Sequence, residues 1–240
     1  MPLYQEKHRE IMLKILKDIV EDTSLGPLLG FKGGTAAYLF YGLERFSVDL
    51  DFDLLDPTKE DFVFEKVKKI MENYGELKDV YKKRFNLFYL LSYEGKDPSS
   101  QNVKVEINRR DFHSKYGLKS YMGISALVME KEDMTANKLI AMYARLGRSN
   151  RDIFDVWFFL NKFWPINDKM IEERMKMPFK KFLKLCISAL EKMDDKMILD
   201  GLGELLSEKQ KSWAREKLKA DTIFQLKILL GAEEDERIAK

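Results

Sequence analysis

Cysteine is nearly absent. The chain holds one, Cys186, in 240 residues, so no disulfide framework can staple it. Histidine is almost as scarce. His8 and His113, far apart in sequence, cannot complete a tetrahedral zinc site with a single thiol, and both are expected on the surface. Glycine and proline together supply only 19 residues (13 and 6), which excludes collagen-like and low-complexity chains. An excess of one charge sign is missing as well, because 42 Lys+Arg against 40 Asp+Glu leave a net charge of +2. That excludes a basic surface blanketing nucleic acid and leaves room for a local basic patch. No apolar run approaches the roughly 18–20 residues that span a bilayer. The opening MPLYQEKHRE has no apolar secretory core, so a cytoplasmic protein with no membrane attachment is expected. What is plentiful (45% hydrophobic, 12% aromatic and 34% charged residues) suits one or two packed domains and excludes disorder.

Along the chain the pattern divides in two. Ile11, Leu13, Ile15, Leu16, Ile19 and Val20 recur at helical spacing and predict an amphipathic helix over 5–22. LLGF (28–31) predicts a buried strand, Gly33-Gly34 a break, and TAAYLFYGL (35–43) a helix with Thr35 as its N-cap. SVDLDFDL (47–54) alternates strictly and predicts a strand; Asp56-Pro57-Thr58 predicts a turn, and 59–73 a helix. RFNLFYLLSY (84–93) and NVKVEI (102–107) predict a hairpin around the loop EGKDPSS, with ISALVM (124–129) a further short strand. From Glu132 the spacing is helical throughout, interrupted at Pro165 and Pro178. KMPFKKFLK (176–184) is basic with interleaved aromatics and reads as an amphipathic packing helix rather than an RNA contact. A mixed α/β domain over 1–130 followed by a helical domain over 131–240 is therefore expected.

The strand SVDLDFDL carries the chemistry. Its period of two puts Val48, Leu50, Phe52 and Leu54 on one face and Ser47, Asp49, Asp51 and Asp53 on the other. Two carboxylates about 4 Å apart repel by roughly 4 kcal/mol at an effective dielectric near 20. Such a row either faces water or gathers a cation. In NVKVEI, Lys104 and Glu106 share the face opposite Val103, Val105 and Ile107. If the two strands are neighbours, Asp49, Asp51 and Glu106 form an oxygen-rich cluster suited to Mg²⁺ or Mn²⁺, and two such ions can serve the attacking and leaving oxygens of a phosphorus centre. Upstream, strand, Lys32-Gly33-Gly34-Thr35 and helix form an arrangement that binds phosphate through exposed N–H groups and the positive end of the helix dipole; the Thr35 hydroxyl adds a donor. The GxxxxGK[ST] spacing of a Walker loop is absent.

The order of a Gly-Gly turn, a short helix, Asp-x-Asp on the next strand and a later carboxylate resembles the polymerase β-like nucleotidyltransferase superfamily. KGGTAAYLFYGLERFSVDLDF (32–52) is similar to the signature of the AbiEii/AbiGii-type toxin nucleotidyltransferases, with Arg45, Ser47, Asp49, Leu50, Asp51 and Phe52 in the second half. A second block, NKLIAMYARLGRSNRDIFDVWFFL (137–160), supplies the Lys138, Arg145 and Arg151-Asp152-x-x-Asp155 that accompany it in that family. The residues alone leave a plainer account open: Arg148 with Asp152 and Arg151 with Asp155 are i, i+4 ion pairs, Ser149 with Asp152 resembles a capping box, and a lone helical Lys138 is usually solvated.

The resemblance implies an α+β fold: a mixed sheet with flanking helices, followed by a helical domain contributing to the active-site cleft. It implies a metal-dependent transferase that moves a nucleoside monophosphate from ATP, GTP, CTP or UTP to an acceptor hydroxyl. Asp49, Asp51 and Glu106 would hold Mg²⁺ or Mn²⁺, and Glu106 would serve as base. Lys32, Gly33, Gly34, Thr35 and Ser47 would border the triphosphate. Lys138 would neutralise it, with Arg145, Arg151, Asp152 and Asp155 orienting that lysine or closing the site. It further implies the toxin of a toxin–antitoxin pair, with a cognate antitoxin protein as partner and RNA such as tRNA as acceptor. The rivals are a small-molecule acceptor, such as an aminoglycoside or a sugar phosphate, and a catalytically inactive interaction module.

Overall fold

The computed structural model describes residues 3–93 and 102–238. The EGKDPSS loop expected over 94–100 lies outside the described residues. The chain separates into two compact units, Met1–Glu130 and Lys131–Lys240.

The first unit is built on a seven-stranded mixed sheet. Its elements are α1 (Leu3–Glu21), β1 (Leu29–Lys32), α2 (Gly33–Tyr41), β2 (Asp49–Leu54), α3 (Glu60–Glu72), β3 (Glu76–Lys82), β4 (Asn86–Ser92), β5 (Asn102–Asn108), β6 (Tyr116–Tyr121) and β7 (Ile124–Met129). The strand order is β3-β4-β5-β2-β1-β7-β6. β2 runs parallel to β5 and β1 parallel to β7, and the remaining pairs are antiparallel. One face is apolar: Leu50, Phe52, Leu87, Tyr89, Leu91, Val103, Val105 and Ile107 are all sealed from solvent. α1 closes on it through Met12, Ile15, Leu16 and Ile19, and α3 through Val63, Val67 and Met71. The Tyr89 hydroxyl donates to the Phe64 carbonyl at 3.1 Å, which pins α3 to this face. The opposite face carries the polar half of the alternation.

β3 and β6 are the two edges of the sheet, and the hydrophobic pattern of the sequence does not announce them. ELKDVYK and YGLKSY hold no fully buried residue. Charged, half-wet edges are how sheets avoid pairing with other chains, and they erase the apolar stripe that reveals a strand.

The second unit is helical: α4 (Lys131–Arg145), α5 (Arg151–Asn161), α6 (Asp168–Met175), α7 (Phe179–Lys192), α8 (Glu208–Trp213) and α9 (Lys219–Ile238). Its core centres on Phe154, Phe159, Phe182 and Leu183, with Trp164 stacked on Phe159 at 4.1 Å between ring centres. Pro178 is the N-cap of α7, whose Phe179, Phe182 and Leu183 are buried while Lys181 and Lys184 face outward. The segment is the packing helix its spacing predicts. Cys186 lies on the buried side of α7, and burial pushes its thiol up to about 12. Ellman's reagent at pH 8 should therefore leave the native protein unlabelled and titrate one thiol per chain only on unfolding. Labelling of the native protein at the unfolded rate would contradict that placement.

Candidate active site

β1 ends at Lys32 and the chain turns directly into α2 at Gly33, whose φ of +79° is the left-handed conformation that favours glycine. A Cβ at Gly33 would stand 2.6 Å from Asp51 Oδ2, and one at Gly34 would stand 2.7 Å from Arg45 Nη2. Gly33 is thus held by its backbone conformation and by the Asp51 carboxylate beside it, while a side chain at Gly34 would have to displace the Arg45 guanidinium. The N-cap is Lys32, not Thr35, and no side chain caps the helix. The first backbone N–H groups of α2 remain available to an anion.

Thr35 does something other than present a hydroxyl to phosphate. Its side chain is 1% exposed, donates to the Asp49 carbonyl and lies 2.8 Å from Ser47 Oγ. The buried Thr35 and Ser47 hydroxyls therefore tie α2 to the start of β2. Lys32 is likewise engaged: its ammonium pairs with Asp53, which also accepts from Asn108 Nδ2 (2.6 Å) and from the Tyr116 hydroxyl. The third carboxylate of the row is consumed by these partners.

Asp49 and Asp51 are the other two. The parallel register sets Asp49 beside Lys104, Asp51 beside Glu106 and Asp53 beside Asn108. Asp51 and Glu106 are thus lateral neighbours on one face, as the shared alternation requires. Glu106 Oε1 accepts from the Asn86 amide. Lys104 complicates the expected cluster, because its Nζ stands 3.2 Å from Asp49 Oδ2 and 3.4 Å from Glu106 Oε2. Among the described residues no group of three His, Cys, Asp or Glu side chains closes around a common point to hold a metal ion. An ammonium stands between two of the carboxylates instead.

The donor set nevertheless fits a hard divalent cation. It offers carboxylate oxygens alone, and the Lys104 ammonium balances only part of their charge. Burial lowers the affinity of Lys104 for its proton; Asp49, Asp51 and Glu106 outweigh that and hold its pKa above the ordinary 10.5. Since the folded value is the higher one, the stability this lysine contributes is fully present below about pH 10.5 and is lost as the pH climbs through the folded value.

His8 belongs to the site's frame rather than to the surface. It is 1% exposed, its Nε2 donates to the Val48 carbonyl at 2.9 Å, and its Nδ1 accepts from the Tyr93 hydroxyl at 3.0 Å. Its position on the apolar stripe of α1, four residues before Met12 and seven before Ile15, is the sequence signal for this burial. Burial lowers its pKa below 6.5, partly offset by the Val48 bond and the charge of Asp49. A depressed histidine favours folding when neutral, so the protein should lose stability as the pH falls from 6.5 through the folded value. His8→Gln should flatten that part of a melting-temperature profile between pH 7 and 5; an unaltered slope would contradict the assignment.

In the helical unit, Lys138 is buried rather than solvated. Its Nζ lies 2.9 Å from Asp152 Oδ1 and 2.6 Å from Asp155 Oδ2. Arg145 Nη2 reaches Asp152 Oδ2 at 2.7 Å. Both aspartates are fully buried. The Arg148–Asp152 helix pair of the plainer account does not form; the Arg148 guanidinium donates to the Ala144 carbonyl at 3.3 Å. Nor does the Ser149–Asp152 capping box. Asn150 is the N-cap of α5, and its side chain accepts from the Gly147 N–H (2.9 Å) and donates to the Met197 carbonyl (2.6 Å). Arg151 sits half-buried in the first turn of α5.

The family model described as "Nucleotidyl transferase AbiEii toxin, Type IV TA system" matches residues 14–225. The chain belongs to this family. It is a nucleotidyltransferase of the type IV toxin–antitoxin class, which implies a nucleoside triphosphate substrate and an antitoxin partner. Similar solved structures include JHP933 from Helicobacter pylori, 20% identical, covering 100% of this chain and 97% of that one with a TM-score of 0.63. MenT4, a nucleotidyltransferase toxin from Mycobacterium tuberculosis, is 17% identical over 94% of each chain with a TM-score of 0.53. Both likenesses are of fold. None of the curated proteins matches the chain. Among the described residues, no helix is long and apolar enough to cross a membrane.

Proposed function

We propose that this AbiEii-family chain transfers a nucleoside monophosphate from a triphosphate to a hydroxyl of an RNA acceptor such as tRNA, in the cytoplasm, with Mg²⁺ or Mn²⁺ bound at Asp49, Asp51 and Glu106. The observation that carries this reading is the pairing of Asp51 with Glu106 on parallel strands, with the Asp51 carboxylate packed against the Gly33 turn. A divalent ion held there supplies charge neutralisation of the phosphates. The backbone N–H groups of Gly34 and Thr35 receive phosphate oxygens at the start of α2. Glu106, steadied by Asn86, takes the proton of the acceptor hydroxyl. The acceptor oxygen bonds to the α-phosphorus as the bond from that phosphorus to the bridging oxygen breaks, and pyrophosphate departs with the electron pair. Within the helical unit Lys138, held by Asp152 and Asp155 with Arg145 on Asp152, is assigned a charge-neutralising role, and Arg151 a supporting one.

Incubation of the chain with total RNA and each of four α-labelled triphosphates in turn, with Mg²⁺, tests this directly. Label is expected in RNA with at least one triphosphate. Label confined to small molecules would overturn the RNA acceptor, and no transfer with any of the four would overturn the reaction.

A further inference from the structure

The polar face of the sheet continues past the carboxylates into an aromatic surface. Asp51 pairs with Glu106, Glu106 with Phe88, and Phe88 with Tyr81, so these four residues form one row across β2, β5, β4 and β3. At about 4.8 Å per strand, Phe88 stands roughly 10 Å from Asp51 along that row. The Tyr81 and Phe88 rings are stacked at 4.9 Å, and Tyr81 is 41% exposed. Lys83 lies over both, 3.9 Å from the Phe88 ring centre and 5.0 Å from that of Tyr81.

The turn that follows β3 and the segment that follows β5 bring further cations to the same end of the sheet. They are joined where the Arg109 N–H donates to the Phe85 carbonyl at 2.7 Å. Phe85, 42% exposed, carries Arg84 at 4.9 Å and Arg110 at 4.9 Å; Arg110 also lies 5.1 Å from the Phe112 ring. Neighbouring Lys82 and Arg109 are neutralised by Asp61 and Glu60. Lys83, Arg84 and Arg110 pair with no carboxylate among the described residues. In a chain of 42 basic and 40 acidic residues, three unneutralised cations resting on exposed rings are a local departure from balance. A cavity of about 280 Å³ adjoins them, lined in part by Asp53, Arg110, Phe112 and Tyr116.

Stacking rings interleaved with cations are what unpaired nucleotides require: a flat π-face for each base and a positive charge for each phosphate. We propose that Tyr81, Phe88, Lys83, Arg84 and Arg110 form the docking platform for the single-stranded end of the RNA acceptor, delivering its terminal hydroxyl along the row to Glu106 and Asp51. The delivery step rests on the nucleotidyl-transfer reading above; the binding step does not.

Fluorescence anisotropy of a labelled single-stranded oligoribonucleotide with the full chain, in the absence of triphosphate, tests the platform. Lys83 and Arg84 lie exposed in a turn, so the K83E/R84E double variant should fold as the parent does. It should weaken binding at least tenfold and flatten the dependence of log Kd on log salt by about 1.4, at roughly 0.7 per phosphate contact. Tyr81→Ala should weaken binding several-fold and Tyr81→Phe should restore it, since the ring and not the hydroxyl stacks. Asp51→Asn should bind RNA as the parent does, so a failed transfer assay and a failed platform give different results. No binding by the parent, parent-like binding by K83E/R84E or Tyr81→Ala, or equal competition by polyglutamate would each overturn the proposal.

Discussion

Asp51→Asn is expected to lower the nucleotidyl-transfer rate by about 10³-fold or more while leaving the melting temperature nearly unchanged. The substitution keeps the side chain's shape beside Gly33 and removes its charge. That charge is one of three carboxylates facing the single ammonium of Lys104, so its removal relieves repulsion from Asp49 and Glu106 while giving up attraction to the ammonium, and the two effects oppose each other. A residue retained for packing would show the opposite pattern, with activity following stability downward. Rate and melting temperature measured on the same preparation separate the two. Activity within tenfold of the parent would remove Asp51 from the chemistry.

Lys138→Met is expected to unfold the helical unit more readily, by about 3–5 kcal/mol, because it withdraws the ammonium from two fully buried aspartates. For a chain of this size that corresponds to a fall of roughly 10 °C in melting temperature. The loss should be partly recovered when Asp152→Asn and Asp155→Leu are added, since buried ion clusters exchange for apolar groups at little net cost while half-broken ones do not. A fall below about 2 °C in the single variant would show that the cluster does not sustain the fold. An activity loss in Lys138 variants therefore identifies a catalytic contribution only at temperatures where the variant stays folded.

The alternation of SVDLDFDL disclosed both faces of β2, and that of NVKVEI placed Glu106 and Lys104 together on the polar side of β5. The same rule that found the acid cluster thus contained the lysine within it. What alternation lacks is register: whether Asp49 meets Lys104 or Glu106 depends on how two strands distant in sequence align, which only the folded sheet fixes. β3 and β6 escaped because edge strands shed their apolar stripe. The segment over 84–93 begins as a turn, and β4 starts at Asn86, because Arg109 binds the Lys83 and Phe85 carbonyls and takes those residues out of the ladder. Lys138 and Asp152 were legible as a motif, and their burial was not. Charged residues on an amphipathic helix usually face water, and only packing of α4 against α5 turns these inward.

Manganese binding to the intact chain, followed by the loss of the free Mn²⁺ signal in electron paramagnetic resonance, measures the metal assignment without reference to any acceptor. The parent should bind Mn²⁺, Glu106→Gln should bind it more weakly, and Asp51→Asn should bind it at least tenfold more weakly still. Lys104→Met should bind it more tightly than the parent, because the ammonium that stands between Asp49 and Glu106 would no longer compete. Equal Mn²⁺ affinity in the parent and in Asp51→Asn would contradict the claim that these two strands exist to hold a divalent ion.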